Sequence, residues 1–145
     1  MKRSALKFDW IKNSRSGLPK GDWFVEFFTP GELHAHKTGK VLASSKTFLQ
    51  RATLIQTHTF GKMLVIDRET QSSEFDEAFY HESLVVPALL MHPGPRTALI
   101  LGGGEGATAR EILNSGTIKS AGMADIDYAV LEFAKDHMPE WHKGA

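Results

Sequence analysis

Five residues, Gly102, Gly103, Gly104, Glu105 and Gly106, follow directly on the apolar run Ala98 to Leu101, and a helix-favouring segment starts at Ala107. Strand, glycine loop and helix in that order make the ligand-binding half of a βαβ unit. The glycines let backbone approach a nucleoside, and the helix N-terminus offers N–H groups without intrahelical partners. A second strand-like run ends at Asp125, about 20 residues past the loop, where such units keep an acid that accepts ribose hydroxyls. Gly102, Gly104 and Ala107 satisfy the G-x-G-x-x-G/A dinucleotide fingerprint, but Glu105 does not suit a pyrophosphate. A carboxylate among N–H donors repels a second anion and attracts a cation. The loop therefore favours a nucleoside that carries positive charge, such as an S-adenosyl compound with its sulfonium and amine, over NAD.

Asp76, Glu77, Tyr80, His81 and Glu82 form a second polar set. On a helix the i, i+4 pairs Asp76 with Tyr80 and Glu77 with His81 stand side by side on adjoining faces. A cleft for a diamine needs acids spaced along an apolar slot, and a solvated helix face has the same composition; pattern alone leaves both open. His34 and His36 share a strand face, yet no third ligand follows at a metal-site spacing. Pattern assigns no role to Gln50 or Gln71.

The elements that must position these residues can be read in order. Residues 1–21 are polar and basic without a sustained period, which predicts a flexible arm. Residues 22–75 read as antiparallel hairpins, with alternation at Trp23, Val25 and Phe27, a Pro30-Gly31 turn, and the runs Lys40 to Ala43, Ala52 to Thr59 and Lys62 to Asp67. Thr53, Ile55 and Thr57 alternate with Leu54, Gln56 and His58, so neither face is cleanly apolar and a partner subunit is the expected cover. Asp67-Arg68 occupies a hairpin turn where Asp-Gly is usual, implying a longer loop or about 1 kcal/mol of strain. Residues 76–95 hold a linking helix and hinge. The helix is predicted from about Asp76 to Leu90, with Ser72 or Ser73 as cap, an apolar set of Phe79, Leu84, Val85, Val86, Leu89 and Leu90, a kink at Pro87, and a hinge at His92 to Pro95. Residues 96–145 begin a nucleoside-binding domain, with a helix from Ala107 to Leu113, a strand from Ile118 to Ala124 and a helix capped by Asp127. Two parallel strands are present where a doubly wound sheet normally has five or more, so this domain is expected to be incomplete.

Composition narrows the partners. Lysine plus arginine equals aspartate plus glutamate at 17 each, so no net field favours nucleic acid or an acidic membrane surface. The chain of 145 residues has no cysteine, which removes disulfide and thiol chemistry. Its apolar runs fall far below the ~20 residues of a transmembrane helix. A cytoplasmic location is expected.

The run FGKMLVID, then Gln71, then DEAFYHES from Asp76 to Ser83, then HPGPRTALILGGGEGATAREIL, resembles the polyamine aminopropyltransferases, the spermidine and thermospermine synthases. The likeness extends from about Trp23 to the end of the sequence. It implies an α/β protein with an N-terminal antiparallel β domain before a Rossmann-like, methyltransferase-type domain, and a homo-oligomer assembled through the β domain. It further implies transfer of an aminopropyl group from decarboxylated S-adenosylmethionine, the co-substrate, to putrescine or a longer polyamine, with no metal or other cofactor. By position, Gln50 and Asp125 would hold the donor's ribose, with Gly102 and Gly104 beneath it, and Glu105 would face its cationic end. Tyr80 and His81 match the pair at the junction with the amine pocket; Gln71 and Glu82 match supporting positions. The resemblance puts the general-base aspartate after Ala145, together with an adenine-contacting acid and a loop over the amine. No transferase activity is expected of the 145-residue chain alone. Leu49 stands where the family usually has an aromatic residue, and Arg68 replaces the turn glycine. The rival readings are a non-catalytic binding and oligomerisation module and a small methyltransferase-like or NAD-binding domain; Glu105 and the DE-x-x-YHE helix speak against the last.

Overall fold

A computed structural model describes residues 19–145; the arm expected at residues 1–21 lies almost wholly outside the described residues. Five strands, β1 (Asp22–Thr29), β2 (Glu32–Lys46), β3 (Arg51–Thr57), β4 (Lys62–Ile66) and β5 (Glu69–Ser73), form one antiparallel sheet in chain order. Strand β2 is far longer than its apolar run predicts. It pairs with β1 through one half and β3 through the other, and register shifts at Thr38/Lys40 and Val41/Ala43 bend it between the two.

The β4–β5 connection is the two-residue turn Asp67-Arg68, with φ of +48° and +79°, so the longer loop is not formed and the strained turn is. Left-handed backbone costs about 1–2 kcal/mol per non-glycine residue. Asp67 offsets part of this by accepting the Arg51 N–H at 2.8 Å through its carboxylate and donating its own N–H to the Arg51 carbonyl at 3.0 Å.

The mixed faces of β3 are both covered within this chain. Leu54 and Leu64, cross-strand partners on one face, pack with Phe133, Met138 and Trp141, while Ile55, Met63 and Val65 pack with Phe24 on the other. Thr53 and Thr57 are buried because their hydroxyls are bonded, to Ser44 Oγ at 3.1 Å and to the Gly61 carbonyl at 3.0 Å.

Helix α1 (Glu77–Met91) begins one residue later than predicted and runs through Pro87 to Met91. Ser72 and Ser73 belong to β5 and do not cap it; Asp76 takes the N-cap place with no side-chain bond to the helix, its carboxylate instead accepting from Ser73 Oγ at 2.5 Å. Of the predicted apolar set only Val85 is buried, against Ile100 and Ile112, with Leu89 partly covered; Phe79 and Leu90 are 74% and 79% exposed.

Strands β6 (Thr97–Leu101) and β7 (Ser120–Ala124) are parallel neighbours joined by α2 (Ala107–Asn114); the second strand starts two residues later than predicted. Asp127 caps α3 (Tyr128–His137) as expected, accepting the Ala129 N–H at 3.1 Å. A short α4 (Pro139–His142) then seats Trp141 in the sheet core, where its indole N–H donates to Ser72 Oγ at 2.8 Å. Thr47 Oγ1 bonds Asp127 Oδ2 at 2.5 Å, a second tie between the sheet and the α/β part. Among the described residues no helix is long and apolar enough to cross a membrane.

Candidate functional site

These ties set the glycine loop opposite β3 to β5 and beside α1, and a cavity of about 980 Å³ opens between them. Gln50, Gln71, Tyr80, His81, Gly102, Gly104, Glu105 and Asp125 all line it, with Leu64, Ile66 and Leu84 among its apolar walls. Glu82 does not line it and is exposed on α1. A smaller cavity of about 300 Å³ adjoins through Gln71 and Tyr80 and carries Glu26 and Asp76.

The loop has the backbone its glycines permit. Gly102, Gly103 and Gly106 have φ of +84°, +80° and +81°, a region that side chains rarely enter. The Gly102 N–H donates to the Ala124 carbonyl at 2.8 Å, which locks the end of β6 to β7. Gly104 needs to be small for another reason: a Cβ there would lie 3.1 Å from Asp125 Oδ2. That oxygen accepts the Gly104 N–H at 3.0 Å, and Oδ1 accepts the Asp127 N–H at 2.9 Å. Each carboxylate oxygen retains a further lone pair, so Asp125 is both fixed to the loop and able to receive a hydroxyl from the cavity. Gln50 sits in the turn before β3, not in the strand, held by its N–H to Thr47 Oγ1 at 2.9 Å.

Glu105 is not a bare anion. Its Oε1 lies 2.8 Å from His81 Nε2, while His81 Nδ1 lies 2.6 Å from the Glu77 carbonyl and 3.3 Å from Glu77 Oε2. The Glu77 carbonyl can only accept, so Nδ1 donates to it, and protonation of Nε2, which gives the imidazolium, lets the ring donate to Glu105 as well. Burial of the ring, 2% exposed, opposes that charge, but the hydrogen bond and charge of Glu105, joined by Glu77, outweigh it and raise the His81 pKa. Both nitrogens are thereby engaged. His81 lines the cavity beside Tyr80, with both ring nitrogens turned to partners within this chain. Tyr80 is 63% exposed, its ring edge-on to His81 at 5.0 Å.

Behind Glu77 stands Arg110, a residue that the motifs did not single out. Its guanidinium grips Glu77 with two bonds, Nη1 to Oε1 at 3.0 Å and Nη2 to Oε2 at 2.8 Å, and donates to the Trp141 carbonyl at 2.6 Å and to Glu111 at 2.7 Å. One sequence signal was available: an arginine in the first turn of a helix opposes the macrodipole, so its presence in α2 calls for a specific acidic partner.

Residues 22–74 match the family description "Spermidine synthase tetramerisation domain", and residues 77–145 match "Spermine/spermidine synthase domain". Curated proteins named polyamine aminopropyltransferase from Sulfurisphaera tokodaii and Saccharolobus solfataricus are each 51% identical, over 123 and 124 residues, covering 85% of this chain and 41% of theirs. The Aeropyrum pernix protein of that name is 43% identical over 133 residues, covering 92% of this chain and 42% of its own. The chain thus spans about two fifths of the length of these relatives. A spermidine synthase from Thermotoga maritima superposes with a TM-score of 0.81 at 29% identity, covering 92% of this chain and 46% of that one. A spermidine synthase in complex with the transition-state analogue AdoDATO gives the same values. Two consecutive family descriptions, matched in order and meeting at the entry to α1, show that the chain belongs to the spermine/spermidine synthase family of polyamine aminopropyltransferases.

Proposed function

We propose that this chain supplies the donor side of an aminopropyl transfer from decarboxylated S-adenosylmethionine to putrescine. The supporting observation is the convergence of Asp125, Gln50 and the glycine loop with Glu105 around one cavity. In this reading Asp125 and Gln50 take the ribose hydroxyls, Gly102 and Gly104 carry the nucleoside, and Glu105 faces the donor's cationic chain. The amine enters on the side of Tyr80 and Gln71, toward the smaller acidic cavity.

The attacking amine nitrogen forms a bond to the carbon beside the sulfonium as the carbon–sulfur bond breaks. Methylthioadenosine leaves with the electron pair, and a base takes the proton that the amine loses. A sulfonium is already an activated leaving group, so the displacement calls for no metal. What the site must supply is alignment, worth several kcal/mol when the reacting atoms are held near contact, and an unprotonated amine. No residue of this chain is assigned as the base. The β domain is the proposed assembly surface of a homo-oligomer, an assignment supported by the tetramerisation-domain match and by the exposed Phe27, Phe28 and Leu33 on β1 and β2. The reading includes no nucleic-acid partner and places the protein in the cytoplasm.

Titration with methylthioadenosine tests the ribose assignment. The chain is expected to bind it, and Asp125→Asn to weaken binding about 10- to 100-fold, since hydrogen bonds to a charged group contribute about 1.5–3 kcal/mol. No binding to the unmodified chain at millimolar ligand would overturn the reading.

A further inference from the structure

We propose that Arg110 is a positioning residue of the donor site: by clamping Glu77 from behind it shares His81 out to Glu105, and so sets the carboxylate that the donor's cation meets. This rests on the donor reading above. The geometry is a chain of contacts that runs inward from α2. Arg110, 4% exposed, holds both oxygens of Glu77. Glu77 holds His81 through its carbonyl at 2.6 Å and, more loosely, its carboxylate at 3.3 Å; His81 then reaches Glu105 at 2.8 Å. Glu105 and Glu77 face opposite nitrogens of one ring, and the bidentate guanidinium neutralises the Glu77 carboxylate and so leaves Glu105 as the ring's main anionic partner.

The titratable and charged groups around His81 are Glu77 on its own helix, Glu105 from the loop, and Arg110 with Glu111 from α2; Tyr80 meets it edge-on. Charge balance follows from that inventory. If Arg110 is lost, the Glu77 carboxylate is no longer neutralised and binds His81 more strongly. If Glu77 loses its charge, the imidazolium loses support. Two neighbouring substitutions therefore move the same ring in opposite directions, which loss of packing does not do.

The experiment follows the His81 ring by NMR titration of the whole chain, with the resonance assigned by its absence in His81→Asn. Glu77→Gln is expected to lower the midpoint by about one pH unit, the usual effect of losing an adjacent opposite charge. Arg110→Met is expected to raise it, and Arg110→Lys, which keeps the charge without the fork, to fall between Arg110→Met and the unmodified chain. Shifts of Glu77→Gln and Arg110→Met in the same direction, or no shift in either, would overturn the proposal. Should Arg110→Met fail to fold, Glu77→Gln and Arg110→Lys decide it by the same criteria. In parallel, the ratio of affinities for decarboxylated S-adenosylmethionine and neutral methylthioadenosine is expected to change at least about threefold in the folded variants. A purely structural role lowers both affinities and leaves the ratio as it was, which would also overturn the proposal. If the unmodified chain binds neither ligand the donor reading fails, while the titration still decides whether the clamp exists.

Discussion

Replacing Trp141 by alanine tests how the α/β part is held on the sheet. Trp141 is fully buried, packs with Leu54, Leu64 and Met138, and donates its indole N–H to Ser72 Oγ at 2.8 Å. Truncating a buried tryptophan or phenylalanine to alanine costs about 3–5 kcal/mol, and the stranded Ser72 hydroxyl adds about 1 kcal/mol. The sum, about 4–6 kcal/mol, is comparable with the entire stability of a small domain. At roughly 2–4 °C per kcal/mol for a chain of this size, the midpoint should fall by about 10–20 °C. Trp141→Phe keeps most of the apolar volume and loses the hydrogen bond, so about 1–2 kcal/mol is expected from it. Urea denaturation followed by circular dichroism reads both. An alanine variant within about 1 kcal/mol of the unmodified chain would refute the docking of α4 on the sheet, since no residue so buried and bonded is that cheap to remove.

Two further perturbations probe the loop and the histidine. At Gly106, φ is +81° and a Cβ would lie 2.6 Å from the His142 Cβ, whereas at Gly102, φ +84°, it meets open space. Gly102→Ala should cost only the left-handed strain, about 1–2 kcal/mol, and Gly106→Ala distinctly more because α4 must move; equal midpoints in thermal unfolding would contradict the packing. His81 is held with a pKa above its ordinary value. A group raised on folding gives its full stabilisation below its unfolded value, about 6.5 for histidine, and loses it as pH rises through the folded value. Stability measured by urea denaturation should therefore decline from pH 6 into the mildly alkaline range, and His81→Asn should remove that decline. An unchanged slope in the variant would show that the ring does not carry it.

Local patterns made much of this legible. The glycine loop, the parallel pair around it, the Asp127 cap and the order of the hairpins each depend on a few adjacent residues. What escaped depends on partners far away in sequence. Strand β2 is long because register shifts let it serve two neighbours. The Asp67-Arg68 turn closes tightly because Arg51 bonds Asp67 through both its N–H and its carbonyl. The apolar stripe of α1 predicted a buried face, yet among the described residues only Val85 of that stripe is buried. Within the site, the nominated positions converge on one cavity, apart from Glu82. The state of His81 was not legible, because it depends on Glu105 across a 24-residue separation. Glu105 keeps the significance its charge implied, now with the buried His81 ring as its hydrogen-bond partner.

Calorimetric titration of the whole chain with decarboxylated S-adenosylmethionine, beside neutral methylthioadenosine, decides whether the loop selects a cationic nucleoside. Both ligands are expected to bind, the cation more tightly. Glu105→Gln should remove that preference by about 10- to 100-fold, the value of a charge-assisted contact of about 1.5–3 kcal/mol. Equal affinities for the two ligands in the unmodified chain, or a preference that survives Glu105→Gln, would contradict that selection.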